Sequence, residues 1–354
     1  MLDTKSVLEA LRPVQDPELQ KSLVDLNMIR NVVIDNTKVS FTLVLTTPAC
    51  PLKELIVEDC QKAVKQLPGV EEVEVNLDAE IPQQKSILPD RRGIDGVKNI
   101  VAVSSGKGGV GKSTVAVNVA VALALAGSKV GLLDADIYGP NIPTMLGLAN
   151  AEVKVQENTG NQILEPAFNY GVKMVSMGFL IDPDQPVVWR GPMLNGIIRQ
   201  FLYQVNWGEL DYLIVDMPPG TGDAQLTMAQ AVPMAGAVIV TTPQTVSLID
   251  ARRGLKMFEQ LRVNVLGIVE NMSYFIPPDL PDRTYDLFGS GGGEKTSSEL
   301  NVPLIGCVPL EIPVREGGDS GIPIVVSQPE SPSAKALTAI ASQIAAKVSV
   351  AALA

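Results

Sequence analysis

Gly106-Lys107-Gly108-Gly109-Val110-Gly111-Lys112-Ser113-Thr114 is the stretch of this 354-residue chain that decides its fold. It follows an apolar run typical of a buried strand, residues 100–104, and it opens an apolar helical segment. In that context glycines allow backbone N–H groups to converge on phosphate oxygens, and the helix N-terminus adds the positive end of its dipole. A chance glycine-rich turn, the alternative, would rarely carry both flanks. We therefore predict that residues 106–114 bind the phosphates of ATP.

Two side chains of this loop have expected roles of their own. Lys112 is expected to reach the β- and γ-phosphates, where its charge supports catalysis as well as binding. The Ser113 hydroxyl is expected to bind Mg²⁺. ATP and Mg²⁺ are thus the predicted cofactors.

Short apolar runs alternate with helical segments from residue 99 onward. The candidate strands are residues 100–104, 130–134, 172–176, 212–216, 237–241, 265–270 and 304–308. Continuous apolar strands separated by helices indicate a parallel sheet covered on both faces. The predicted fold class is α/β, with a doubly wound, mostly parallel sheet of the P-loop NTPase type over residues 99–354.

The chain before this sheet has a different pattern. Residues 38–45 and 70–77 alternate between apolar and polar side chains, as half-buried strands do, and residues 52–67 carry one apolar helical face. Residues 1–78 are therefore predicted to form a small α/β domain. Residues 79–98, with prolines and glycines among charges, are predicted to be a linker.

Carboxylates follow two of the predicted strands of the large sheet. In a parallel sheet their ends share one edge with the phosphate loop. We predict that Asp216 holds Mg²⁺ through its water shell, that the Gly220 N–H binds the γ-phosphate, and that Asp136 positions the attacking water. The role of Asp134 is open, and capping of the next helix is the alternative for each aspartate. Asn271 is expected to hydrogen-bond the adenine edge, unless it is a plain turn asparagine.

Composition restricts the classes of function. The chain has 28 basic and 39 acidic residues, a net charge of −11, and no basic patch, which disfavours nucleic acid and anionic membranes as partners. It has no histidine, so histidine bases and ligands are excluded. Three cysteines cannot form a disulfide framework, and the start of the chain does not resemble a signal peptide. The longest apolar stretch, residues 115–126, is too short for a bilayer, and we expect a cytoplasmic protein.

Lys107, at the second position of the loop, is not required for the phosphate cradle. It resembles the additional lysine of the deviant Walker A class, which includes the Mrp, MinD, ParA, arsenite-pump and nitrogenase-reductase ATPases. The resemblance implies a homodimer in which Lys107 crosses the interface to the partner's nucleotide and acts in catalysis. A solvated loop lysine is the alternative.

A closer resemblance extends over residues 95–330. The motifs that carry it are DADIYGPNIP (134–143), WRGP (189–192), residues 211–223, ENMSYF (270–275), Phe288-Gly289 and the glycines 291–293. They resemble the Mrp/ApbC family of iron–sulfur cluster carriers. Residues 1–78, with DPE (16–18) and TPACP (47–51), resemble the SufT-type domain often fused in front of it. The resemblance implies an ATPase that carries a [4Fe–4S] cluster and passes it to apoprotein clients.

One departure from the family concerns the cluster ligands. Members usually carry Cys-x-x-Cys just after the Ser-Tyr-Phe segment, where two chains share one cluster, but Pro277 and Leu280 stand there in this chain. Cys60 and Cys307 lie in apolar patterns that indicate core packing. Cys50 precedes Pro51 at the predicted start of a helix, where the dipole is expected to lower its thiol pKa. Cys50 is therefore the candidate cluster ligand or transfer thiol, and a packed turn residue is the alternative.

Two other functions stay open. The first is a MinD- or ParA-like regulatory ATPase, although the C-terminal segment lacks a basic amphipathic helix and the charge disfavours DNA. The second is an ATP-gated adaptor that no longer carries a cluster. Arg190 is expected to serve the dimer interface or a client, or to be a surface loop arginine.

Overall fold

The computed structural model describes residues 2–83, 91–136, 139–151, 154–158, 161–179, 191–280 and 282–353. The chain forms two compact units. The first consists of the residues up to Pro82 and those from Ala345 onward, and the second extends from Gln83 to Ile344. Parts of the predicted linker and of the family motifs lie outside the described residues: residues 84–90 of the linker, and Ile137, Tyr138, Trp189 and Arg190 of the motifs.

The first unit is a three-stranded sheet covered by helices. Its elements are α1 (Thr4–Leu11), β1 (Ile29–Asp35), β2 (Lys38–Leu45), α2 (Lys53–Lys65) and β3 (Glu72–Ala79). The central strand β2 pairs with β1 antiparallel and with β3 parallel. Helix α2 buries Ile56, Cys60 and Val64, which follow one another at one-turn spacing, against a core that includes Phe41. The predicted strands and helix of this region are confirmed.

The second unit is built around one large sheet. The strands of this unit are β4 (Val97–Ser105), β5 (Val130–Asp134), β6 (Lys154–Asn158), β7 (Asn161–Glu165), β8 (Ala167–Asn169), β9 (Val172–Ser176), β10 (Leu210–Asp216), β11 (Met234–Thr241), β12 (Val265–Phe275) and β13 (Leu304–Leu310). Strands β6 and β7 pair with each other in a separate two-stranded sheet. The helices of this unit are α3 (Lys112–Leu125), α4 (Ile142–Met145), α5 (Gly191–Tyr203), α6 (Asp223–Ala231), α7 (Thr245–Gln260), α8 (Gly292–Leu300), α9 (Ile312–Ser320) and α10 (Ile324–Ser327), with a 3₁₀ turn at Met177–Phe179. Helix α11 (Pro332–Leu353) begins in this unit, and its residues from Ala345 onward belong to the first unit.

The eight-stranded sheet has the order β13-β12-β11-β4-β10-β5-β9-β8. Every neighbouring pair is parallel except β8 with β9. All seven strands predicted from the sequence are present, and the predicted doubly wound fold is confirmed. Strand β4 lies between β10 and β11, so the phosphate loop that follows it opens at the carboxyl edge of the sheet, where ligands bind in such folds.

Helix α11 is long and apolar enough to cross a membrane by length and composition, with a mean hydropathy of 1.5. Its side chains Leu337, Ile340 and Ile344 are buried inside the protein, and Gly306 on β13 has no side chain where Ile340 packs. Farther along the helix the Ser349 hydroxyl donates to the Thr46 carbonyl at 3.2 Å, within the first unit. This packing accounts for the apolar composition of the helix.

Candidate functional site

The phosphate loop connects β4 to α3 through two left-handed glycines. Gly109 and Gly111 both have a φ of 79°, and Gly111 is the N-cap of α3. A Cβ on Gly111 would also collide with the side-chain amide of Asn271, and one on Gly106 would collide with the backbone of Asp250. The loop therefore needs glycine at these positions for backbone geometry and for close packing.

Lys112, the first residue of α3, extends its side chain toward two carboxylates. Its Nζ lies 2.7 Å from Asp216 Oδ1 and 3.6 Å from Asp136 Oδ2. The Ser113 hydroxyl donates to Asp216 Oδ2 at 2.6 Å. Lys112 and Asp216 are both buried, so this ion pair is poorly screened by water. The structure thus brings together the four side chains that the sequence proposed for phosphate, Mg²⁺ and water.

Asp134 is the neighbour of Asp216 across the β5–β10 pair and is fully buried. Burial first, and the Asp216 charge second, raise the pKa of Asp134 to about 8. Burial also raises the pKa of Asp216, but Lys112 and Ser113 oppose that shift. Asp134 accepts hydrogen bonds from the Ser176 hydroxyl at 2.8 Å and from the Asp136 backbone N–H at 3.1 Å. Through these contacts Asp134 orients Asp136. The sequence alone assigned no role to Asp134.

The cluster has a donor set that fits Mg²⁺. Ser113 and Asp216 offer hydroxyl and carboxylate oxygens, which are the ligands that this hard cation prefers. Asp136 Oδ1 is buried and has no hydrogen-bond partner among the described residues. A buried carboxylate oxygen is costly to leave unpaired, so this atom indicates that a further polar group belongs beside it. The residues present therefore fit a Mg²⁺ ion together with a water molecule.

The segment after β10 packs back onto the phosphate loop. The Gly220 N–H donates to the Ser105 carbonyl at 3.0 Å, so Gly220 lies next to the loop, and it would have to exchange that bond to reach a γ-phosphate. Gln225 on α6 is fully buried, and its side-chain amide donates to the Pro218 carbonyl. Gln225 thereby fixes the segment between Asp216 and Gly220.

A cavity of about 470 Å³ opens beside the phosphate loop. Thr114, Asn271 and Met272 line its near side, while α4, α9 and the end of β13 line the rest. The Asn271 Nδ2 donates to the Val110 carbonyl at 2.9 Å, so this side chain links the phosphate loop to the cavity wall. The size and mixed lining suit a nucleoside adjoining the phosphates.

Lys107 differs from Lys112 in its surroundings. Its backbone carbonyl accepts a hydrogen bond from the Ser105 hydroxyl at 2.9 Å, and its side chain is partly exposed. Gly108 and Gly109 beside it are exposed. Lys107 therefore lies at the surface of the loop, apart from the buried ion pair of Lys112 and Asp216.

The expectation of a low pKa for the Cys50 thiol is wrong. Helix α2 begins at Lys53, with Leu52 as its N-cap, so Cys50 lies outside the first turn and the dipole acts on it weakly. Burial is the largest cause of a raised thiol pKa there, and the carboxylates of Glu18 and Asp16 add to it. Cys50 is half-buried and protonated at neutral pH.

The other two cysteines differ from each other. Cys60 is fully buried, as predicted, and burial raises its pKa to about 12. Cys307 is only partly buried, so the prediction that it packs in the core is wrong. Burial again raises its thiol pKa, opposed by a hydrogen bond with Ser273. All three cysteines are free, and the described residues hold no group of three or more cysteines and carboxylates placed to bind a metal ion.

Thiol alkylation tests this electrostatic picture. Because the thiolate is the reactive form, we expect Cys50 to react with iodoacetamide more slowly at neutral pH than a free cysteine, and to accelerate as the pH rises above 9. Cys60 should react only after unfolding. Peptide mass spectrometry on the wild type, with Cys50→Ser as control, measures both sites. Rapid modification of Cys50 at mildly acidic pH would show that it is a stabilised thiolate instead.

Sequence reasoning missed several side chains of this region. Ser176, which orients Asp134, ends the predicted strand 172–176, so the rule that parallel strands end at one edge would have found it. The cavity residues Thr144, Met145, Val314 and Arg315 lie on α4 and α9. The motif of residues 134–143 ends before Thr144, and none of the quoted motifs lies on α9. Arg190 lies outside the described residues, and its role stays a prediction.

Two separate parts of the chain match known protein families. Residues 96–345 match the family described as NUBPL iron-transfer P-loop NTPase, and residues 4–76 match the family described as iron–sulfur cluster assembly protein. An iron–sulfur cluster carrier protein from Synechocystis sp. is 80% identical over 353 residues, with full coverage of both chains. The iron–sulfur cluster carrier protein of Deinococcus radiodurans is 49% identical and covers 98% of this chain and 95% of its own.

Solved structures agree with this result. A nucleotide-binding protein from Archaeoglobus fulgidus in complex with ADP is 40% identical, covers 67% of this chain and 91% of its own, and has a TM-score of 0.58. The septum site-determining protein MinD from Pyrococcus horikoshii, with Mg-ADP, is 23% identical, covers 70% and 95% respectively, and has a TM-score of 0.51, which shows the fold alone. Sequence, fold and site together place the chain in the Mrp/ApbC family of iron–sulfur cluster carrier proteins, nucleotide-binding P-loop NTPases of the NUBPL type.

Proposed function

We propose that this protein binds and hydrolyses MgATP and carries an iron–sulfur cluster to apoprotein clients in the cytoplasm. The observation that carries the nucleotide half is the buried cluster of Lys112, Ser113 and Asp216 beside the unpaired Asp136 oxygen. The proposal of a cluster as cargo rests on relatives that are named iron–sulfur cluster carrier proteins and that are similar to this chain over 98–100% of its length.

In this proposal phosphate oxygens compete with Asp216 for Lys112. The lysine lies 2.7 Å from Asp216 and needs only to turn toward the glycine loop to meet the β- and γ-phosphates. Ser113 and Asp216 would hold Mg²⁺, which neutralises charge on the phosphates when it is bound. The backbone N–H groups of residues 106–114 hold the phosphate oxygens in place.

Asp136 is the residue that positions the attacking water. Its Oδ1 is buried and has no partner among the described residues, and its backbone is held by Asp134. A carboxylate fixed in this way accepts a hydrogen bond from water and directs the oxygen lone pair toward the γ-phosphate. With no histidine in the chain, carboxylates are the bases available at this site.

The cavity beside Thr114 takes the nucleoside. Asn271 contacts the phosphate loop through its amide nitrogen, and its location at the cavity wall lets its oxygen accept from the exocyclic amine of adenine. This supports ATP as the nucleotide, as the sequence predicts.

The cluster is cargo, and one chain cannot supply all of its ligands as thiolates. It is either bridged between chains or completed by a non-cysteine or external thiol ligand. A cubane held by protein thiolates needs four cysteines, and this chain has three, of which Cys60 is fully buried. Cys50 is the candidate ligand, and it would release its proton when it binds iron. We therefore propose a homodimer that shares one labile cluster.

The homodimer also explains Lys107. Its position at the surface of the phosphate loop suits a lysine that reaches the nucleotide of the partner chain. We expect Lys107→Ala to keep most nucleotide binding and to lose hydrolysis. Mixing Lys107→Ala chains with Asp136→Asn chains should restore part of the activity, because one of the two composite sites is then intact. A phosphate-release assay on the mixture measures this, and a mixture as inactive as each variant would refute the trans role.

One observation favours a second function, an ATP-gated adaptor without cargo. The described residues hold no group of three or more cysteines and carboxylates placed to bind a metal ion, and Pro277 and Leu280 stand where the resemblance implies cysteines. Anaerobic purification followed by iron and sulfide analysis, ATP turnover and cluster transfer to an apo-ferredoxin decides between the two. The carrier predicts bound iron, hydrolysis and transfer, whereas hydrolysis without bound iron or transfer would establish the adaptor.

A further inference from the structure

The nucleoside cavity has two walls made by short helices, α4 and α9. Asn141, Thr144 and Met145 come from the α4 segment, and Val314 and Arg315 come from α9. Neither helix belongs to the phosphate loop or carries its residues. The shape of the cavity therefore depends on what holds these two helices in place.

One turn holds the C-terminal ends of both helices. Strands β8 and β9 are joined by Tyr170 and Gly171, which have φ values of 48° and 78°, the left-handed pair of a two-residue hairpin turn. The Tyr170 hydroxyl donates to the carbonyl of Gly321, the residue that ends α9, at 3.0 Å. The Asn169 side-chain amide donates to the carbonyl of Leu146, the residue that ends α4, at 2.8 Å.

The two helix ends also meet each other directly. Gly147 follows α4 and Gly321 follows α9, with φ values of 66° and 76°. A Cβ on Gly321 would collide with the backbone of Gly147 and would lie 3.0 Å from the Thr144 carbonyl. The contact is therefore between two backbones, and it occurs where the Asn169–Tyr170 turn binds both.

We propose that Asn169 and Tyr170, acting on the Gly147–Gly321 contact, are positioning residues that set the affinity for the nucleoside half of the nucleotide. They lie outside the cavity and act by keeping α4 and α9 at a fixed separation. A cavity held in its binding shape costs less to order when the ligand enters, so the affinity rises. The left-handed Tyr170, unfavourable for a non-glycine residue, is maintained by this contact. The inference rests on the nucleotide site proposed above.

The test compares ligands that do and do not reach the helix walls. ADP fills the phosphate loop and the cavity, whereas inorganic tripolyphosphate reaches the loop alone. For Tyr170→Phe, which removes one hydroxyl, we expect ADP binding to weaken about threefold, the scale of one hydrogen bond. Gly321→Ala, which forces the helix ends apart, should weaken it by about tenfold or more. Both variants should bind Mg-tripolyphosphate as the wild type does in titration calorimetry.

Tyr203→Phe is the matched control. Its hydroxyl donates to the Ala231 carbonyl at 2.8 Å, in a part of the same unit that does not line the nucleoside cavity, so ADP affinity should be unchanged. Wild-type ADP affinity in both Tyr170→Phe and Gly321→Ala would overturn the inference. An equal loss of ADP and tripolyphosphate binding would also overturn it, since the defect would then be general. If the wild type binds neither ADP nor tripolyphosphate, the proposed nucleotide-binding function itself is wrong.

Discussion

Lys112→Ala is expected to abolish tight ATP binding. The side chain supplies the only positive charge that the structure places within the buried carboxylate cluster of the described residues, and backbone N–H groups alone remain without it. Hydrogen bonds to charged groups each contribute about 1.5–3 kcal/mol, so a loss of about a hundredfold or more in affinity follows. Equilibrium binding of a fluorescent ATP analogue measures the change.

The control must separate lost contacts from lost folding. Removing Lys112 leaves Asp216 and Asp134 buried without a cation, which destabilises a protein, so the thermal unfolding of the variant is measured first. Lys98→Ala provides a matched loss of a paired lysine on β4, the strand that leads into the phosphate loop. Lys98 Nζ lies 2.9 Å from Asp211 Oδ1 of β10, at the end of β4 away from the loop. Lys98→Ala should bind ATP normally. Unchanged affinity in a folded Lys112→Ala chain would refute the phosphate-loop assignment.

Asp136→Asn is expected to bind MgATP and to hydrolyse it about a hundredfold more slowly or worse, as is common when a catalytic base is lost. The amide has nearly the same size, so it preserves the packing around Lys112, but it is a weaker acceptor and cannot orient water as a carboxylate does. Single-turnover hydrolysis and nucleotide binding, measured on the same preparation, separate the two effects.

Two other carboxylates, Asp134 and Asp223, provide the comparison for Asp136. If Asp136→Asn kept wild-type turnover, the role of positioning the attacking water would move to Asp134 or to Asp223, which lies in the first turn of α6. Asp223→Asn should retain hydrolysis. Ser176→Ala removes the hydroxyl that donates to Asp134. This variant should lower turnover less than Asp136→Asn does, because it changes only the orientation of Asp134.

The large sheet was predictable because its strands are buried on both faces. Runs such as those around Val101 and Ile214 are apolar throughout, and only a covered parallel sheet accommodates them. Strand β8 carries no such signal, since it is a three-residue edge strand with an exposed Phe168. The turn that follows it contacts the ends of α4 and α9, and these tertiary contacts have no local sequence pattern.

The site was predictable where backbone chemistry requires particular residues. Gly111, Lys112 and Asp216 follow from the motif and from the shared edge of a parallel sheet. The pKa of Cys50 could not be predicted, because the sequence indicates a nearby helix start but neither the exact N-cap at Leu52 nor the carboxylates that approach from residues 16–18. Electrostatic shifts depend on groups that are distant in sequence and become neighbours only in the fold.

The cluster stoichiometry of anaerobically reconstituted protein tests the account most directly. Two chains together should hold at most one labile cluster, about four irons and four sulfides, because one chain lacks the four thiolates that a cubane needs. Cys50→Ser should remove that cluster, and Cys60→Ser, a change at a fully buried thiol, should keep it if the variant folds. The account predicts iron and sulfide in the wild type and in Cys60→Ser, with neither in Cys50→Ser. A full cluster retained by Cys50→Ser, or no cluster in the wild type, would contradict it.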